Sequence, residues 1–365
     1  MDRRKVLIGG GALALAGAGA VYAGAAGMGS ADDYAAATAR MRAALPAHPR
    51  LRDLIRQATL APNGHNTQPW RFGLSGDRIV IRPDFARRTP VVDPDDHHLF
   101  VSLGAAAENL ALASAAAGRP GELAFDPAGG GAISFAPGGT RPIGSALADA
   151  IPRRQSTRAD YDGRPVGAAD LRLLAAAAIL PGVDVTLITD RPGIDRVRDL
   201  VVAGNGEQMA DPAFLRELKA WLRYNPRQAL ATGDGLYSAA SGNPILPAWL
   251  GPHAFDWFVT AASENDKYAR QLRSSAGVAV FTGQRADPAH WVLVGRACQR
   301  FALQATALGL RQAFVNQPVE VARLRPALAA LVGLPGRRPD IVMRFGHGAA
   351  LPWSPRRPVE RVMAG

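Results

Sequence analysis

Helical spacing and strand-like alternation divide this chain into short units that come round twice. Leu51, Leu54, Ile55 and Leu60 lie on one face of a helix, which predicts a helix over 51–60. A turn of Pro62, Asn63 and Gly64 follows. Arg71–Leu74, Ser75-Gly76 and Arg78–Ile81 then read as a β-hairpin. Asp93-Pro94 opens a long helix through Leu99, Leu103, Leu110 and Leu112 that stops at Gly118. Leu123–Phe125 and Ile133–Phe135 form a second hairpin around Gly129-Gly130-Gly131. No helix with Lys-Ser/Thr follows that triplet, so it is a turn rather than a phosphate loop. Ahead of these units, Ser30 to Leu45 reads as an Ala-rich helix.

The second half repeats the first. Asp170 through Leu180-Pro181, running into the strand Val183–Ile188, parallels Leu51 through Pro62 and its strand. Asp287-Pro288 opens another long helix, in which Gly295 and Gly309 have the spacing of Gly104 and Gly118. Ala106/Ala297 and Leu112/Leu303 match in the same register. Ile341–Gly346 reads as a last strand, and 351–365 as a Pro/Arg-rich tail. The division expected is therefore 1–29 as an N-terminal leader, 30–150 as a first half and 151–365 as a second.

A chain of 365 residues that is 48% hydrophobic and 20% charged has room for a full core. Its net charge of +11 comes almost wholly from scattered arginines, Lys5, Lys219 and Lys267 being the only lysines. No basic cluster with interleaved aromatics occurs, so nucleic acid is not an expected partner. The single cysteine, Cys298, excludes an internal disulfide and a thiolate metal cluster, and reads as a small buried hydrophobe. Ser238 and Ser241 have no nucleophile-elbow context, so a hydrolase is unsupported. His97-His98 reads as a surface helix start, because adjacent His side chains seldom share one ion, and no metal is expected. No catalytic residue stands out, although His65 is placed either to donate a proton or simply to pack its loop.

The N-terminus changes the expected address. Arg3-Arg4-Lys5 precedes residues 6–26, which are uncharged and rich in Ala and Gly. This resembles a twin-arginine export signal, which implies a periplasmic protein or, if uncleaved, one tethered to the membrane.

Two motifs carry candidate chemistry. Asn63, Gly64 and Asn66 on the 62–66 turn offer amides and backbone N–H groups to a planar ligand. Arg154, Ser156 and Arg158 place two guanidinium forks and a hydroxyl on one short segment, as a phosphate dianion requires. The run Ala61-Pro-Asn-Gly-His-Asn-Thr-Gln-Pro-Trp70, taken with Arg154-x-Ser156, resembles the nitroreductase superfamily from about Leu51 to Val359, and most closely its fused Acg-like branch. That resemblance implies an α+β nitroreductase-like fold, two tandem half-repeats forming an intramolecular pseudo-dimer, and a monomer with one FMN. It also implies FMN contacts from Gln312, Ala313 and the tail residue Arg356. Asn63-Gly64 stand where the family has small hydroxyl residues, and Gln155 separates the Arg from the Ser.

The expected activity is electron transfer through FMN from NAD(P)H or another donor to a nitro, quinone or similar acceptor. The alternative is a flavin-sequestering protein without turnover. Residues 233–258, rich in Gly, Pro and Trp, read either as a lid over the flavin, hinged at Gly233, Gly235, Gly242 and Gly251, or as a passive connector.

Overall fold

The computed structural model describes residues 27–364; the leader expected over 1–29 lies almost wholly outside them. Strands β1 (Trp70–Ser75), β2 (Arg78–Pro83), β3 (Gly121–Asp126) and β4 (Ala132–Pro137) form one antiparallel sheet in the order β1-β2-β4-β3. Strands β5 (Val183–Ile188), β6 (Gly277–Gly283), β7 (Arg311–Phe314) and β8 (Ile341–Gly346) form a second, in the order β5-β6-β8-β7. The two orders are the same. In each half a helix precedes the first strand (Leu51–Thr59, Ala168–Ala178) and a long one joins the second strand to the third (His97–Ala116, Pro288–Ala307). The architecture is α+β, built as two half-repeats.

The halves differ at one connection. Gly76 and Asp77 alone join β1 to β2, whereas residues 189–276 join β5 to β6 and contain several helices. The 233–258 segment belongs to this insertion. The strand β6 was not legible from periodicity because all seven of its residues are buried, which removes the alternation that marks a half-exposed strand.

The two long helices cross at the centre of the molecule. A Cβ on Gly104 would lie 2.1 Å from the Val292 carbonyl oxygen, and one on Gly295 would lie 2.0 Å from that of Val101. Only glycine permits backbones to approach so closely. The paired spacing also places Gly118 and Gly309 just past the two helix ends, both left-handed, at φ 79° and 75°. Glu108, 3% exposed, accepts from Arg296 Nε and Arg300 Nη1, each at 2.8 Å, so an ion triad joins the halves. Asn109 Oδ1 accepts from Gln299 Nε2 at 2.6 Å beside it. The His97–Ala116 helix is long and apolar enough to cross a membrane, but here it is a core helix packed between the halves.

Several expected boundaries move for local reasons. The first long helix begins at His97, not Asp93, because the Asp93 carboxylate accepts from the backbone N–H groups of His98 (2.9 Å) and Leu99 (3.0 Å). Asp96 before it is left-handed, at φ 58°. The Ala-rich helix spans Ala31–Met41, capped by the Ser30 hydroxyl, and stops short of Leu45. The tail closes the pseudo-dimer: Met363 bridges Phe72 in parallel, and Ala364 N–H donates to the Phe72 carbonyl at 2.7 Å, covering the β1 edge of the other half's sheet.

Candidate functional site

A cavity of about 790 Å³ lies between the halves and under the insertion, within the range of ligand sites. Asn63, Gly64 and His65 of the turn line it, as do Arg158, His98, Cys298, Phe314 and Asn316. The turn of the first half and one residue of the second-half motif, Arg158, therefore meet in one cavity. Met209, Phe214, Leu246, Leu250 and Phe255 of the insertion supply an apolar wall, and Trp257 and Phe258 stand at its rim.

The turn is held under backbone strain. His65, Asn66 and Gln68 all have positive φ (46°, 55° and 54°), a conformation costing on the order of 1 kcal/mol per non-glycine residue. A bond within the turn and contacts from two distant segments offset this. Asn63 Oδ1 accepts from Gln68 N–H at 2.7 Å within the turn. Asn66 Nδ2 donates to the carbonyls of Gly235 (3.0 Å) and Pro355 (3.1 Å), and Gln68 Nε2 donates to that of Gly233 (2.9 Å). Arg357 N–H donates back to Gln68 Oε1 at 2.9 Å. The Gly233–Gly235 stretch of the insertion and the C-terminal tail thus shape the loop that faces the cavity.

Arg154 and Arg356 do not line the cavity; they sit behind its wall, 1% and 5% exposed. Both guanidinium groups bind the C-terminal end of the Leu51–Thr59 helix. Arg154 Nη2 donates to the Leu60 carbonyl at 2.9 Å. Arg356 donates to Thr59 (2.6 Å), Leu60 (3.2 Å) and Ala61 (3.1 Å), and its Nη1 reaches Asn66 Oδ1 at 2.9 Å. A helix C-terminus carries partial negative charge and unpaired carbonyls, so it can hold two cations without a carboxylate. Burial depresses both groups, Arg154 to about 9 and Arg356 to about 10, with the positive charge of Arg356 adding to the effect on Arg154. Arg42, stacked 4.1 Å from the Trp353 ring, completes this cationic cluster. Arg154 Nε is buried without a hydrogen-bond partner.

Ser156 pairs with Gln312 on the outer edge of β7, and its hydroxyl accepts weakly from Arg154 at 3.4 Å. Gln312 and Ala313 are buried in that sheet, each 1% exposed; Phe314 and Asn316, further along the same segment, are the residues on the cavity wall. Arg158 does reach the cavity. Burial depresses its guanidinium, and the groups that oppose this are Tyr268 and Tyr161, with no carboxylate among them. An exposed-side cation with no acid against it is a ready anion ligand.

His65 faces the cavity with its Nδ1 lacking a partner, and burial lowers it to about 4, so the imidazole is neutral near pH 7. Cys298 is a protonated thiol, pushed up to about 12 by burial. His97-His98 is not a surface pair, contrary to the expectation from sequence. His97 is 1% exposed, with Nε2 2.9 Å from Asp340 Oδ1, and His98 Nε2 lies 3.3 Å from the Asp340 carbonyl. Asp93, His97 and His98 bring three ligand atoms within 4.8 Å of one another, but both Asp93 oxygens already accept from backbone N–H groups. Charge counting alone could not have placed this pair; the buried position follows from the helix crossing.

Three of the four proposed hinges are also packed, Gly242 alone being open. A Cβ on Gly235 would lie 2.4 Å from the Trp221 carbonyl oxygen, and one on Gly251 would lie 2.2 Å from the Tyr224 ring. Asp234 between the first two glycines is ion-paired with Arg87 and, at 2.7 Å, with Arg223. Residues 233–237 are an anchored base, and the wall over the cavity comes from the parts of the insertion on either side of them.

No family model matches the chain. Over 336 residues, 89% of this chain and 94% of the relative, it is 28% identical to the Mycobacterium tuberculosis protein named "Putative NAD(P)H nitroreductase Rv3131". Over 329 residues, 86% of this chain and 94% of the relative, it is 24% identical to that organism's "Putative NAD(P)H nitroreductase acg". Among solved structures, the FMN-dependent nitroreductase NfnB from Mycobacterium smegmatis in complex with NADPH is 13% identical and covers 56% of this chain and 87% of its own, with a TM-score of 0.37. A nitroreductase with bound FMN from Desulfitobacterium hafniense is 15% identical, covering 59% and 94%, with a TM-score of 0.36. The homologues along most of this chain are thus Acg-like nitroreductases by name.

Proposed function

We propose that this chain is an FMN-dependent oxidoreductase of the nitroreductase type, passing electrons from NAD(P)H or a similar donor to a nitro, quinone or related acceptor. The observation that carries this reading is that the Asn63-Gly64 turn of one half and Arg158 of the other line one cavity, in a chain whose relatives over most of its length bear that name. The residues present suit the group. The Asn63-Gly64 backbone on the cavity wall would face the flat ring system, the Asn63 amide being bonded within the turn, and the guanidinium of Arg158 suits the phosphate. Bound FMN supplies the two-electron chemistry. The protein supplies position: Arg158 holds charge, neutral His65 offers an unpartnered ring nitrogen, and the apolar insertion wall excludes water. Arg154, Arg356 and Asn66 act through the shape of the loop. We further propose one FMN per monomer, and export of the folded protein by its Arg3-Arg4 leader to the periplasm, where it stays free or membrane-tethered.

Leu246, Leu250 and Phe255 of the insertion lie over the cavity, which supports a second reading: flavin held without turnover. Anaerobic titration with NADPH and then dithionite, following the visible flavin spectrum, tests both. Reduction by NADPH with turnover on a quinone supports the enzyme. Reduction by dithionite alone supports sequestration, and a colourless protein that takes up no added FMN refutes both.

A further inference from the structure

Large exposed apolar side chains concentrate on the insertion. Ile245, Trp249, Trp257 and Phe258 are 38%, 68%, 64% and 73% exposed. Trp257 stacks with His253 at 6.0 Å and meets Phe258 edge-on at 6.5 Å, so these rings form one group. Single exposed apolar residues are ordinary on a protein surface, whereas a contiguous aromatic group marks an interaction site. Trp257 and Phe258 also line the cavity, so whatever covers this face covers its mouth.

The path of the chain indicates what that is. Arg227 N–H donates to the Met28 carbonyl at 2.8 Å, and a Cβ on Gly29 would lie 3.0 Å from Arg227 N. Two residues before Arg227, Asn225 Nδ2 donates to the Leu246 carbonyl at 3.1 Å, and Leu246 N–H donates to the Tyr224 carbonyl at 3.0 Å. The chain arriving from residue 26 therefore joins the body next to the aromatic segment. Residues 6–26 are uncharged and, at about 1.5 Å per residue in a helix, match a bilayer core of roughly 30 Å. Arg227 is exposed at the junction and, with Lys219 beside Asp256, supplies the basic charge next to the uncharged 245–255 stretch that an anionic lipid surface attracts. Trp is a preferred residue at the headgroup boundary.

We propose that the Ile245–Phe258 face docks on an anionic bilayer, with Trp249, Trp257 and Phe258 in the headgroup boundary and the cavity mouth opening at the lipid surface. The test uses the full-length protein with vesicles of phosphatidylglycerol and phosphatidylcholine whose acyl chains are brominated, reading tryptophan quenching and flotation together. A Trp249→Phe/Trp257→Phe variant keeps the aromatic area and removes the reporters. Both positions are exposed, so an unchanged far-UV spectrum and an unchanged urea midpoint verify folding. The expected result is quenching of the parent that falls at least twofold in the double variant while flotation is retained, and that weakens severalfold with phosphatidylcholine alone. Equal quenching in parent and variant overturns the proposal, as does a chain that floats through its N-terminal segment without quenching at 249 and 257. Concentration-dependent dimerisation that shields these tryptophans would assign the face to a second copy of the chain. Shielding that disappears when residues 6–26 are replaced by a polar sequence would assign it to that segment instead. Either result also overturns the proposal.

Discussion

Replacing Arg356 by alanine should loosen the cavity without removing any atom from its wall. The side chain makes five hydrogen bonds, to the carbonyls of Thr59, Leu60, Ala61 and Pro355 and to Asn66 Oδ1. Hydrogen bonds from a charged donor contribute about 1.5–3 kcal/mol each, yet burying the guanidinium costs several kcal/mol. Arg356 also repels Arg42 and Arg154, so its removal returns part of that cost. The carbonyls left behind are the larger loss: each buried unpaired acceptor costs about 1–3 kcal/mol, less where water enters the vacated space. The net destabilisation expected is about 3–5 kcal/mol. Arg356→Lys should recover less than half, because one ammonium cannot span carbonyls on both sides of a planar fork. Urea unfolding followed by tryptophan fluorescence measures the loss, and FMN retention through dialysis measures the loop. An Arg356→Ala protein within about 1 kcal/mol of the parent would refute the view that this side chain holds the helix end and the strained turn.

Other expectations follow from the same geometry. Arg158→Ala should weaken FMN binding tenfold or more with little change in unfolding midpoint, the reverse of Arg154→Ala, which should lower the midpoint first; equilibrium dialysis beside urea titration separates the two. Gly295→Ala forces a Cβ onto the Val101 carbonyl and should cost about 3 kcal/mol or more, read as a lowered Tm, with no rescue from added FMN. His65 has a folded pKa of about 4 against 6.5 unfolded. Above pH 6.5 both states are neutral, and as pH falls the unfolded chain takes the proton first. Stability should therefore drop between pH 6.5 and 4, by at most about 2 kcal/mol at pH 5 and less for a ring partly open to the cavity. Asp340, raised to about 6, opposes this, since its contribution is present below its unfolded pKa and lost as pH rises through 6. His65→Asn, which tolerates the left-handed backbone, should flatten the acid-side loss in urea titrations at pH 7 and 5; an unchanged loss would assign it to other groups. Lys-Lys in place of Arg3-Arg4 should abolish export in a fractionation assay, and unchanged export would point to another route.

Much of the architecture was legible because it rests on local patterns. Alternation marked both hairpins of the first half, and helical spacing marked the paired long helices. The repeated interval from Gly104 to Gly118 and from Gly295 to Gly309 joins a helix crossing to a helix cap, two positions where a side chain is excluded or strained. The candidate site was legible in part. Asn63, Gly64 and Arg158, read from sequence as ligands, line one cavity. Arg154 and Arg356 were read as ligands because a sequence displays a cation without the carbonyls it faces, and those carbonyls come from a helix about 100 to 300 positions away. The insertion wall was harder still: its apolar residues acquire a role only from the cavity they happen to roof.

The unequal connections between the first and second strands have a consequence for how such a chain can change. In one half that connection is Gly76-Asp77; in the other it is 189–276, carried without disturbing the strand order. The position is thus a port at which this fold accepts new chain, and the first half's port stands unused. Because the halves are one polypeptide, material added at either port stays with the same cavity and need not be compatible with a second copy of itself. A symmetric dimer must accept every insertion twice. The fused chain can keep one half as framework and let the other carry the novelty.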